Sequence, residues 1–108
     1  MFIDFEEKDH WLVARPSFQR LDALSAQEFT SSMVERCSGS DHVVLDLTSV
    51  TFIDSRGLAA LVSVFKLLST GGVLRLANLN DQVELLLTMT RLKALVPAFG
   101  SVDAAIQA

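Results

Sequence analysis

Val43-Val44-Leu45-Asp46-Leu47-Thr48-Ser49-Val50-Thr51-Phe52-Ile53-Asp54-Ser55-Arg56-Gly57-Leu58 is the stretch whose reading decides the fold. Residues 43–47 form a short aliphatic run bounded by polar residues, the pattern of a strand buried on both faces. A brief loop follows, and then Leu58, Leu61, Val62, Phe65 and Leu68 recur at helical spacing. Asp54 and Ser55 therefore stand where a helix begins, at the carboxyl end of a central strand. Helix N-termini carry unpaired backbone N–H groups and a partial positive charge, so an anionic group is readily held there. Ligands and modifications of open α/β sheets collect at this edge. A hydroxyl beside a carboxylate at that point is the strongest functional clue in the chain.

Working outward, Gly71-Gly72 stops the helix, which is expected to run from about 55 to 69. Val73 to Ala77 reads as the next strand, and Asn78 to Asp81 supply turn and cap chemistry. A helix over about 81–91 follows, with Val83, Leu86, Leu87 and Leu92 inward and Glu84 near its positive end. Leu95-Val96 is expected to form a last short strand, confined to an edge by Pro97. Ser101 to Gln107 fits a closing helix with Val102, Ala105 and Ile106 inward.

Upstream, Ile3–Phe5 and Trp11–Ala14 read as two strands separated by a polar turn, Glu6-Glu7-Lys8-Asp9, and Pro16 ends the second. They pair most simply as an antiparallel hairpin at a sheet edge. Ser25 and Glu28 have the spacing of a capping box, with Leu24 and Phe29 as its hydrophobic staple. The helix they start is expected to reach about Cys37, burying Ala26, Phe29, Met33 and Cys37, with Gly39 just past its end. Past the hairpin, strand and helix alternate. The expected architecture is one α/β domain over 1–108: a mixed, mostly parallel sheet of four to five strands with an N-terminal hairpin, packed by about four helices.

Bulk properties exclude several classes. Net charge is −4, and the nine Lys and Arg residues form no cluster, which argues against nucleic-acid or anionic-lipid binding. The single Cys37 has no disulfide partner within the chain. The N-terminus lacks a signal-peptide pattern, and the longest apolar run is too short to span a bilayer. A cytoplasmic location is expected. No catalytic motif, metal-ligand spacing or cofactor fingerprint is present, so no enzyme activity, metal or cofactor is expected. Gly71-Gly72 follows a helix and precedes a strand, the reverse of a phosphate-cradling loop. His10 and His42 have no acidic or Cys companions at ligand spacing and are read as solvent-facing, and Trp11 as part of the hairpin core.

Phe52-Ile53-Asp54-Ser55-Arg56-Gly57-Leu58 resembles the signature of the STAS domain, the fold of bacterial anti-sigma factor antagonists, with its Asp-Ser-x-Gly-Leu turn between strand and helix. The resemblance spans nearly the whole chain. Leu21-Asp22-Ala23 is similar to the family's Leu-Asp element, Val44-Leu45-Asp46-Leu47 to its central strand, and Leu85–Leu92 with Phe99 to its Leu-rich third helix and final aromatic. The resemblance implies that Ser55 is phosphorylated by a partner serine kinase with an ATPase-like fold, itself an anti-sigma factor. The unphosphorylated antagonist would bind that kinase and free the sigma factor. Phosphorylation would break the complex, and a metal-dependent serine phosphatase would restore it. Two positions depart from the pattern: Arg56 stands where the family usually has a small residue, and Gln19-Arg20 where a small residue precedes Leu-Asp. Arg56 can screen a phosphate on Ser55 or reach an acidic patch on the partner.

The docking surface expected from this reading comprises Asp22, Phe52, Asp54, Ser55, Arg56 and Gly57, extended by a second apolar row on the helix, Ala60, Val64 and Leu67. The same row is equally consistent with a helix that is simply well buried. Asp54 and Ser55 can each serve as a plain N-cap, and Asp22 can orient a loop or cap a turn. A different reading of the resemblance is an accessory STAS subunit of a larger assembly (a stressosome, a lipid-transport complex or a transporter), with Ser55 a packing or cap residue at a docking face. A small nucleotide-binding or hydrolytic protein is the remaining class.

Overall fold

A computed structural model describes residues 2–68 and 70–108. Strands β1 (Ile3–Lys8) and β2 (Trp11–Pro16) pair antiparallel, with Lys8 opposite Trp11. The turn is tighter than the polar run suggests. Asp9 and His10 both have positive φ (51° and 69°), and two consecutive left-handed residues close a hairpin without splaying its strands. Glu6 and Lys8 are thereby kept in the ladder, opposite Val13 and Trp11.

The chain continues through β3 (Arg20–Leu21), α1 (Ala26–Cys37), β4 (His42–Asp46), β5 (Phe52–Ile53), α2 (Ser55–Leu68) and β6 (Val73–Ala77). It ends with α3 (Asp81–Met89), α4 (Leu92–Leu95), β7 (Ala98–Phe99) and α5 (Val102–Gln107). The expected final residue of the long helix, 69, lies outside the described residues. One sheet has the order β1-β2-β4-β6-β7, antiparallel only at the hairpin, while β3 and β5 form a separate parallel pair. This mixed sheet and its five helices form the α/β fold expected from the alternation.

Alternating side chains of β4 feed two cores. Val43 and Leu45 pack with Phe29, Met33 and Cys37 of α1 and with Leu61, Val64, Val83, Leu87 and Leu92 from α2 to α4. Val44 faces the other way, with Trp11, Val13, Ala77, Val102 and Ala105. That second face is covered by α5, which Arg75 clamps: its guanidinium donates to the carbonyls of Ala105 (2.7 Å) and Ala108 (3.0 Å) and lies over the Trp11 ring. Burial pushes the Cys37 thiol up to about 11. His10 and His42 are exposed and Trp11 is buried.

Three local expectations are corrected. Ser25 makes no side-chain cap; its hydroxyl donates to Arg20 O (2.7 Å) and accepts from Asp22 N (3.0 Å), and Leu24 is exposed rather than stapled to Phe29. The Leu-rich helix breaks at Arg91, whose φ of 63° ends α3 and lets Leu92 turn inward from α4. The edge strand forms at Ala98–Phe99 and not at Leu95-Val96. Pro97 has no N–H to give, but its carbonyl accepts from Leu76 N at 2.9 Å, so the chain joins the sheet only from there on.

Candidate docking site around Ser55

Ser55 follows β5, a two-residue strand, and not the central strand β4 directly. This short segment is stitched to β3. The N–H groups of Thr51 and Phe52 donate to Gln19 O (2.8 and 3.3 Å), and Asp54 N–H donates to Leu21 O (3.2 Å). The first turn of α2 then packs directly on β3. A Cβ on Gly57 would lie 1.9 Å from Leu21 O, so only glycine allows this approach. Gly57 is therefore buried, a packing residue with no part in an exposed surface.

Asp54 is the cap. Its Oδ1 accepts the Gly57 N–H at 2.8 Å, the geometry of an N-cap to N3 bond, while Oδ2 accepts the Ala23 N–H at 3.3 Å. One carboxylate thus closes α2 and ties down the loop ahead of α1. Asp22, on that loop, accepts from Leu24 N (3.1 Å) and from Arg20 Nε (3.1 Å), so it both caps a turn and orients a neighbour. Burial alone would raise the Asp22 carboxyl, but these partners hold it below the usual carboxylate value. Arg20 lies 4.0 Å from the centre of the exposed Phe52 ring.

With capping assigned to Asp54, the Ser55 side chain has no structural task. It is exposed, and its hydroxyl makes no hydrogen bond among the described residues. Arg56 is exposed and without an ion pair among them; a cation is electrostatically unfavourable in the first turn of a helix. The second apolar row resolves differently. Ala60 and Val64 are buried between α2 and its neighbours, which removes them from any docking surface, while Leu67 is 55% exposed but three turns away, about 18 Å along the helix.

Beneath the β2–β4–β6 edge lies a charged cluster that the sequence pattern did not single out. Asp46 is buried, yet its carboxylate accepts from Thr48 Oγ1 (2.6 Å), Thr48 N (3.1 Å), Asn78 Nδ2 (3.0 Å) and Arg15 Nε (3.2 Å). Burial raises its carboxyl, and these bonds outweigh that to leave it below the usual value. Both carboxylate oxygens are engaged, Oδ1 by Thr48 and Asn78 and Oδ2 by Arg15, so the cluster ties the sheet edge together. Among the described residues, no group of three or more His, Cys, Asp or Glu is placed to hold a metal ion, and no helix is long and apolar enough to cross a membrane.

The family pattern of the STAS domain matches residues 2–105. The chain belongs to the STAS domain family. No curated protein matches it by sequence. Among solved structures, the STAS domain is similar to a Thermotoga maritima protein described as a putative anti-sigma factor antagonist, at TM-score 0.89 and 25% identity over 97% of this chain and 92% of that one. It is also similar to the Bacillus cell-fate determinant SpoIIAA in its phosphorylated form, at TM-score 0.71 and 16% identity over 98% and 97% of the two chains. The third is a murine solute carrier 26 anion transporter, at TM-score 0.79 and 19% identity, where 94% of this STAS domain covers 18% of that chain.

Proposed function

We propose that this STAS domain is a cytoplasmic anti-sigma factor antagonist working by partner switching. Unphosphorylated, it binds an anti-sigma factor serine kinase with an ATPase-like fold; phosphorylation of Ser55 releases it; and a serine phosphatase acting on phosphorylated Ser55 resets it. The observation that carries this reading is the division of labour between Asp54 and Ser55: the carboxylate does the capping, and the hydroxyl is left exposed and unengaged. The likeness to the Thermotoga protein supports the same reading.

The physics of release follows from charge. A phosphate on Ser55 adds about −1.5 to −2 charges at neutral pH, which the N-terminus of α2 favours by roughly 0.3–1 kcal/mol. The domain therefore stays folded. In a docked interface the same charge must be desolvated, and a mispaired buried charge costs about 3–5 kcal/mol, about two to four orders of magnitude in affinity. The switch thus acts on the contact with the partner and leaves the host's fold alone.

The test is incubation with ATP and each purified ATPase-fold serine kinase of the source organism, followed by mapping of the modified residue by mass spectrometry. A single phosphate on Ser55 is expected. A chain left unmodified by every such kinase overturns the proposal and favours the accessory-subunit alternative.

A further inference from the structure

Ser55 cannot be drawn out as an extended peptide without dismantling α2, because it sits in the first turn, with Leu58 N–H bonded to Asp54 O (2.8 Å) and Gly57 N–H to the Asp54 carboxylate. An enzyme that phosphorylates it must dock on the folded surface around it. A standard interface covers about 800 Å² on each partner, a disc about 16 Å in radius. The loop ahead of α1 falls inside that disc, since Ala23 N–H is bonded to the carboxylate of Ser55's own neighbour, Asp54.

Leu24, the next residue, is 91% exposed, the highest value among the exposed large apolar side chains described. Single exposed leucines are common and need no explanation. Leu24 differs in being held. Its N–H is bonded to Asp22 Oδ1, Asp22 is paired with Arg20, Ser25 Oγ bridges Arg20 O and Asp22 N, and Asp54 fixes the residue before it. An apolar side chain on a backbone fixed in advance loses little entropy on burial, which is what an interface anchor requires.

We infer that Leu24 is the apolar anchor of the contact with the kinase that phosphorylates Ser55, entering an apolar pocket on that partner. This rests on the partner-switching reading above. Ser55 then lies beside a desolvated anchor, where added charge is most disruptive.

The experiment measures binding of the purified, Ser55-phosphorylating kinase, with ADP, to the wild-type chain, Leu24→Ser, Leu67→Ser and Ser55→Asp by calorimetry. Leu24→Ser is expected to keep the wild-type melting temperature and bind about 10- to 100-fold more weakly. Leu67→Ser, remote from Ser55, is expected to bind like wild type. If Leu24→Ser binds within twofold of wild type while Ser55→Asp is weakened, the anchor is wrong and the switch stands. If Ser55→Asp also binds normally, the switch itself fails. Equal losses in Leu24→Ser and Leu67→Ser overturn the anchor as well. Should Leu24→Ser fold poorly, the Leu24 methyl signals of the wild-type chain decide: a shift on adding kinase supports the anchor, and unmoved signals overturn it.

Discussion

Removing the Asp54 carboxylate and removing the hydroxyl of its neighbour Ser55 should have very unequal consequences for stability. Asp54→Ala deletes the N-cap bond to Gly57 N–H (2.8 Å) and the longer bond to Ala23 N–H (3.3 Å). Loss of an N-cap side chain costs about 0.5–2 kcal/mol, and an exposed bond of marginal length adds about 0.5 kcal/mol. A total of about 1–2.5 kcal/mol corresponds to a fall in Tm of about 5–15 °C for a domain of this size. Ser55→Ala removes a hydroxyl that bonds to nothing described, so its effect should stay within about 0.5 kcal/mol. The assay is thermal unfolding by calorimetry for both variants, with urea titration as a second measure. Hydrogen exchange adds a local readout, because the Gly57 and Ala23 amides should lose protection only in Asp54→Ala. If Ser55→Ala falls as far as Asp54→Ala, the hydroxyl is itself the cap, and the argument that it is held in reserve for modification is refuted.

Gly57→Ala places a Cβ 1.9 Å from Leu21 O and must push α2 off β3; a loss of about 1–3 kcal/mol or more is expected in denaturant titration, against about 1 kcal/mol gained from helix propensity. Asp46 has its carboxyl below the ordinary 3.8, so its stabilisation is full above that value and is lost as pH falls through the folded-state value; Asp46→Asn should flatten the acid limb of a stability-versus-pH curve below about pH 4. Arg75→Ala removes the clamp on α5, and amide exchange over Val102–Gln107 should accelerate well before that of β4.

The alternation of strand and helix, the position of β6 and the hairpin at one edge were legible because hydrophobic period and length agree there. Strands β3 and β5 were not. Two residues are too few to show a period, and their pairing is fixed by Gln19 and Leu21 carbonyls far away in sequence. The burial of α2 was half legible. Leu61 and Leu68 were expected inside, but Gly57, Ala60 and Val64 complete the buried set, with Gly57 at the close approach to Leu21 O, while Leu58, Val62 and Phe65 are partly buried against the core. Leu24 illustrates the same limit: the staple pattern at Leu24 and Phe29 is genuine as spacing, but Asp22 begins the turn earlier and swings Leu24 outward, with Ala26 N–H bonded to Asp22 O at 2.8 Å. At the site, Asp54-Ser55 was legible as a helix start; which of the two caps it depended on side-chain geometry that spacing does not encode.

The most direct test is the dissociation constant of the anti-sigma kinase for the unphosphorylated chain and for the same chain carrying one phosphate on Ser55, with the backbone NMR spectrum recorded for each. The account predicts at least about 100-fold weaker binding of the phosphorylated form, and amide shifts confined to the start of α2 and the Ala23 loop. Equal affinity of the two forms, or a spectrum changed throughout the sheet, would contradict it.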